Sequence, residues 1–195
     1  MSLGKNIHNA FEVVFETFKS IEKLIVKCRA EIDKEKYYMP TERFLRNSND
    51  SSWSGWIYWS FILLFQRKED GKVMDNGWIN APVYAVEINV DSDTCAEPEL
   101  IVAKMIFKDM TEWSKGCLPS NHAFFYDTIH ANDIYEEKEM NNFIGKIAPM
   151  AGYEEDGFWG FKQLHYMTKK LVDVNQYNYK EMIFGTIEEL SKVEE

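Results

Sequence analysis

The sequence predicts an α+β fold: a mainly antiparallel sheet of three to five strands, covered by a long N-terminal helix (about residues 5–36) and by C-terminal helices. Three observations carry this expectation. Phe11, Val14, Phe18, Ile21, Ile25, Cys28 and Ile32 recur at steps of three and four, which puts them on one stripe of a helix. A nearly unbroken apolar run then extends from Trp56 to Arg67. Two alternating segments follow, Pro82–Asp91 and Glu99–Phe107, joined by the acidic loop Asp91-Ser-Asp-Thr-Cys-Ala-Glu-Pro-Glu99.

Each element has its own reason. Phe15 and Leu24 widen the helical stripe beyond a coiled-coil seam, so the helix predicts packing on a sheet, with a homodimer through this helix as the other use of its length. Pro40 ends it, because the residue before a proline is pushed out of helical geometry. The run at 56–67 is aromatic and β-branched, and its continuity fits a central strand covered on both faces. Asp70-Gly71 and Asn76-Gly77 supply turns before the second strand at 82–91. There, Tyr84, Val86, Ile88 and Val90 form one apolar face, while Val83, Ala85, Glu87 and Asn89 form a face that turns polar at its end. In the third strand, at 99–108, Ile101, Ala103, Met105 and Phe107 share one face, and Lys104 shares the other with Leu100, Val102 and Ile106. Beyond Trp113 the reading is a helix or irregular segment at 121–135, a helix at 136–147, another at 161–172 and a better one at 179–193.

A length of 195 residues suits one domain, and 45% hydrophobic residues with 15% aromatics can fill its core. The net charge of −10 is uneven: 9 basic residues face 8 acidic ones in 1–50, 6 face 10 in 51–115, and 7 face 14 in 116–195. Such a surface repels phosphate backbones, which argues against nucleic acid and for a basic protein partner. Three cysteines without a CxxC pair do not make a disulfide framework and fit a reducing cytoplasm. No basic-then-apolar leader opens the sequence, and no apolar run approaches the roughly 20 residues that span a bilayer. A membrane partner is therefore not expected.

Three groups of residues could carry chemistry. The first is the polar mouth of the hairpin, with Glu87, Asp91 and Lys104 as catalytic candidates, Asp91, Asp93 and Glu99 as oxygen ligands for a hard cation, and Asn89 and Glu97 beside them. The order helix, strand, hairpin, helix resembles the core of the restriction-endonuclease-like nucleases, and implies a divalent-metal-dependent or degenerate nuclease centred on residues 87–104. That family carries an acid two residues before the lysine of its third strand, whereas the tripeptide here is Val102-Ala103-Lys104. The second group is Cys117, His122 and His130, with Cys95 as a fourth member, which suits either zinc or a thiol–imidazole pair but lacks paired ligand spacing. The third is the loop from Gly152 to Phe161, where Tyr153, Glu154, Glu155, Phe158 and Trp159 combine aromatic anchors with carboxylates that steer a basic partner. No phosphate-cradling glycine motif, dinucleotide fingerprint or nucleophile elbow is present, so no cofactor is expected. The expected function is a non-catalytic cytoplasmic interaction protein of binding or inhibitor type.

Overall fold

The computed structural model describes residues 2–30, 32–47, 55–130, 134–141, 144–153 and 158–194. The chain forms two units, Met1–Asp33 and Lys34–Glu195. The first unit holds α1 (Leu3–Ala30), whose 28 residues reach about 42 Å at 1.5 Å per residue. Phe11 and Phe15 lie one turn apart on it, with ring centroids 6.3 Å apart. The helix stops short of the predicted residue 36. The chain turns at residues 34–36 instead, and the Lys36 carbonyl accepts a hydrogen bond from the Lys68 amide at 2.9 Å.

The second unit is built on one sheet of seven antiparallel strands. In chain order these are β1 (Tyr37–Tyr38), β2 (Ser60–Arg67), β3 (Val83–Asn89), β4 (Glu99–Phe107), β5 (Tyr135–Asn141), β6 (Ile144–Pro149) and β7 (Phe161–Lys170). Their order across the sheet is β1-β2-β3-β4-β7-β6-β5. The three predicted core strands are thus neighbours at the centre, as their composition required, and β2 is buried along seven of its eight residues. The predicted count of three to five strands is too low, because the segments read as helices at 136–147 and 161–172 are β5, β6 and β7.

The misreading of β7 has a physical cause. Phe161 and Leu164 are three apart, a helical spacing, yet both fall on the same face of the strand. A β-bulge opposite Ile106 and Phe107 produces this: Phe107 faces Phe161 and Ile106 faces Gln163, leaving Lys162 as an extra residue. One inserted residue restores to one face what strict alternation would have split.

Register sorts the central side chains into two layers. Val83, Ala85 and Glu87 share a face with Ile62, Leu64, Ile101, Ala103 and Met105. This face, the front, is covered by α2 (His122–Ile129) and by the aromatic residues Trp78, Trp113, Phe124, Phe125 and Tyr126. On the back face, Phe184 packs at 5.5 Å from Phe65 and 5.2 Å from Tyr37. Phe184 belongs to a π-helical turn, Glu181–Gly185, that runs into α3 (Thr186–Ser191), with Ile183, Ile187 and Leu190 buried. No described helix is long and apolar enough to cross a membrane.

Gly145 of β6 lies directly opposite Tyr166 of β7, and a Cβ built on it would meet the Tyr166 ring at 2.2 Å. The ring therefore lies over the glycine, an arrangement that covers bare backbone with aromatic surface. Gly145→Ala is expected to displace the ring and to destabilise the fold by about 1–3 kcal/mol, read as a lower urea midpoint at unchanged m-value. An alanine variant as stable as the parent would remove this reading of the β6–β7 contact.

Candidate functional site: a buried glutamate–histidine pair beside an acidic pocket

The front face turns polar where β3 ends, and the structure builds a buried carboxylate–imidazole contact there. Glu87 is 0% exposed. A carboxylate so placed must have its oxygens satisfied, since burying it bare costs several kcal/mol. Both are. Oε1 accepts the Ser60 hydroxyl of β2 at 2.6 Å, and Oε2 lies 3.0 Å from His130 Nε2.

The elements around the pair fix its geometry. His130 follows the last residue of α2, and its amide donates to the Tyr126 carbonyl at 2.9 Å. Its ring sits 4.4 Å from the Tyr126 ring, which in turn packs edge-on to Trp59 at 4.8 Å. The Tyr126 hydroxyl donates to Asp91 Oδ2 at 3.2 Å. Asp91 also holds its own loop, since Oδ1 accepts the Asp93 amide at 3.0 Å and its carbonyl accepts the Cys95 thiol at 3.1 Å. Asn89 adds two further ties, to Thr94 Oγ1 at 2.9 Å and to the Asp91 amide at 2.9 Å. The acidic loop is therefore a folded lip pinned to α2 and β3.

Beside the pair opens a pocket of about 220 Å³, lined by Thr94, Glu99, Ile101, Ile129, His130, Glu137, Ile147, Tyr166 and Thr168. Register explains the set, because Glu99, Ile101, Thr168 and Tyr166 all point to the front face. The Tyr166 hydroxyl donates to Glu137 Oε1 at 2.9 Å. Burial holds the Glu99 carboxyl above the usual range; His130 pulls it down and Glu87 pushes it further up. The Cys95 thiol is likewise raised, first by burial and then by Glu99, Asp91 and Glu87.

The predicted site residues are thus redistributed. Glu87, Asp91 and Glu99 do lie around one end of the front face. Lys104 does not join them. It pairs with Tyr84 on the back face, because residues opposite each other in this register have the same parity and Glu87 pairs with Ile101. Lys104 is 4% exposed and its Nζ donates to the Val193 carbonyl at 2.8 Å. Asp93 is exposed, and Glu97 pairs with Lys170 at 2.8 Å, also in solvent. Among the described residues, no group of three or more His, Cys, Asp or Glu is placed to hold a metal ion.

Cys117, His122 and His130 are not assembled into a unit either. The Cys117 thiol contacts Asn121 Oδ1 at 3.6 Å, and burial pushes its pKa up to about 12. His122 stacks on Tyr126 at 5.3 Å and meets Trp59 edge-on at 5.4 Å, and its Nε2 is buried without a hydrogen-bond partner. In the third group, Glu154, Glu155 and Asp156 lie outside the described residues, as does the side chain of Phe158. Trp159 is 40% exposed, with its ring stacked on Phe124 at 4.8 Å and angled to Trp113 at 5.0 Å. Its backbone is left-handed, φ 57°, at a cost of about 1–2 kcal/mol for a residue with a Cβ. The Gly160 carbonyl, which accepts the Lys108 amide at 2.7 Å, ties this turn to the end of β4. Tyr153 is exposed.

Chemically, a histidine held by a carboxylate is the base-and-orienter half of a hydrolytic triad. The described walls of the pocket offer no serine or cysteine beside it, and no lysine or arginine. What they offer is negative charge, hydroxyls and one aromatic ring. Sequence reasoning had no route to the Glu87–His130 contact, whose members are 43 residues apart. The one available signal was a glutamate on the inner face of β3, which demands a partner.

Two predictions follow from the burial of these groups. His130→Leu is expected to cost about 3 kcal/mol by leaving Glu87 short of a partner, whereas the double variant Glu87→Leu/His130→Leu recovers most of that loss, read in a double-mutant cycle of urea unfolding. Purely additive losses would dissolve the pair as an interacting unit. For His122, burial and then His130 lower the folded pKa to about 4, against an ordinary 6.5. The unfolded chain therefore takes up a proton between these values while the folded chain does not. The stabilising contribution is complete above about 6.5 and is lost as pH falls toward 4, by about 3 kcal/mol in all. His122→Phe, which keeps the stack and removes the orphaned nitrogen, is expected to flatten stability between pH 6.5 and 4. An unaltered pH slope would refute the assignment.

No protein-family model, curated protein or solved structure matches this chain.

Proposed function

We propose that this chain is a non-catalytic binding protein for a basic protein partner, and that its front-face pocket takes a lysine or arginine side chain of that partner. The observation that carries the reading is the chemistry of the pocket wall. Glu99 and Glu137 face a cavity of about 220 Å³, and the imidazole among its described lining residues, His130, is already turned to Glu87. The long stem of a lysine or arginine would lie along Ile101, Ile129 and Ile147 while its charged head reaches the carboxylates. The Tyr166 ring adds a face on which a cation is attracted by the ring quadrupole.

Charge supports the same direction. A net charge of −10 draws a basic partner in and repels an acidic one. A carboxyl raised by burial, as at Glu99, gains most when a cation replaces the water it has lost. At the other end of α2, the half-exposed Trp159 ring on Phe124 offers apolar contact area of the kind that anchors protein interfaces.

The test uses fluorescein-labelled lysine- and arginine-rich peptides titrated by anisotropy at low salt. Glu99→Gln and Glu137→Gln are each expected to weaken binding about tenfold, or roughly 1.4 kcal/mol. Glu112→Gln removes the same charge beyond the far end of β4 from Glu99 and is expected to change affinity by less than about twofold. Because Glu99 is raised, binding is expected to fall away at higher pH than an ordinary glutamate would dictate as the solution is acidified. Equal weakening by all three variants would mean that overall charge alone attracts the peptide, and the pocket reading would be abandoned.

A further inference from the structure

The apolar stripe of α1 has two halves. In the later turns Ile21, Ile25 and Cys28 are buried. In the earlier turns Leu3, Ile7, Phe11 and Phe15 follow one another at steps of four, a single ridge along the helix, and are between 51% and 76% exposed. The Phe11–Phe15 ring pair belongs to this ridge. Soluble proteins rarely leave a contiguous apolar run of this size in water, and where they do it marks a contact surface.

We propose that this ridge is the contact between two copies of the chain, whose first helices lie antiparallel about a two-fold axis near Phe11. Charge selects the partner. Residues 3–20 carry Lys5 and Lys19 against Glu12 and Glu16, a sum of zero in a chain whose net charge is −10. By helical periodicity these four residues lie on the side away from the ridge. Both carboxylates are also engaged within the helix, Glu12 with His8 at 3.2 Å and Glu16 with Lys19 at 2.5 Å. The ridge therefore offers nothing that draws a strongly charged partner of either sign. It also spares a second copy the repulsion that an acidic surface imposes.

Shape sets the direction. The amino-terminal end carries the small residues Gly4 and Ala10 beside Leu3 and Ile7, whereas the other end carries Phe11, Phe15 and Phe18. A Cβ built on Gly4 meets nothing within 4 Å. Laid antiparallel about Phe11, two copies set Ile7 against Phe15 and Gly4 against Phe18, so bulky residues meet smaller ones. A parallel pair would stack Phe15 on Phe15 and leave a gap between the glycines. The helix dipoles also favour the antiparallel arrangement. A two-fold contact needs a self-complementary surface, and this taper supplies one.

Area sets the strength. Residues 3–20 run about 27 Å at 1.5 Å per residue. Half the flank of a cylinder that long and about 11 Å across is roughly 450–500 Å², so two copies bury about 1,000 Å² together. That is the lower limit for a specific interface, and a dissociation constant in the micromolar range is expected. The contact shares no residue with the front-face pocket, so either reading can fail alone.

The experiment is sedimentation velocity of the full chain between about 1 and 200 µM, where monomer is expected to pass into dimer. Ile7→Glu and Phe15→Lys, each alone, bury a charge in the contact and are expected to weaken the dimer at least tenfold, with helix content unchanged by circular dichroism. Mixing these two variants is expected to restore it, because the antiparallel pair opposes their new charges, a gain that misfolding cannot imitate. Ile7→Glu mixed with Ile7→Lys probes the parallel arrangement and is expected to restore nothing. A parent chain that stays monomeric throughout overturns the proposal and leaves the ridge to an unlike partner. Dimers that survive either single variant, or that return only in the Ile7→Glu and Ile7→Lys mixture, overturn it as well.

Discussion

The alternation of side chains across β3 and β4 decides where every charged group of the central sheet goes. With Glu87 opposite Ile101 and Lys104 opposite Tyr84, the one buried acid and the one buried lysine of these strands are committed to different sides. A shift of one residue would exchange the faces and bury Lys104 in the aromatic front layer. The observed register instead sets Ala85 against Ala103 and Val83 against Met105, all four buried in the front core. Register thus settles electrostatics before any single ion pair does.

Each face then answers its own polar group differently. On the front, Glu87 is compensated by a serine from the neighbouring strand and by a histidine delivered at the end of α2. The aromatic ladder Trp59–Tyr126–His130 holds that histidine in place and links it to the loop through Asp91. On the back, Lys104 meets a main-chain carbonyl close to α3. Glu188 on that helix accepts hydrogen bonds from the Tyr37 hydroxyl and pairs with Lys36 at 3.0 Å, which secures the helix against β1.

Much of the fold was legible in the sequence, and the reason is local. β2, β3 and β4 announce themselves because a central strand needs apolar residues on both faces, and helix α1 because its stripe recurs over many turns. β5, β6 and β7 were not legible. Their apolar residues are sparse, the bulge at Lys162 mimics helical spacing, and their strand character comes from pairing with distant partners. The same division holds for the site. That Glu87 sits on the inner face of β3 follows from alternation, whereas its link to His130 follows from how α2 folds back across the sheet. The expectation that Lys104 would join Glu87 treated nearness along a hairpin as nearness in space. The sheet is one side chain thick on each face, and parity separates them.

The two borders of the sheet have a consequence for how this protein meets others. β1 is two residues long and β5 carries three glutamates and a lysine in the stretch Glu136-Glu-Lys-Glu139. A strand that short has almost no free main-chain ladder, and a strand that charged repels a like neighbour laid beside it. Extension by an acidic strand from another chain is therefore disfavoured at the β5 border, while at the other border β1 offers little ladder of its own. Edge-to-edge association of sheets is resisted by the same features.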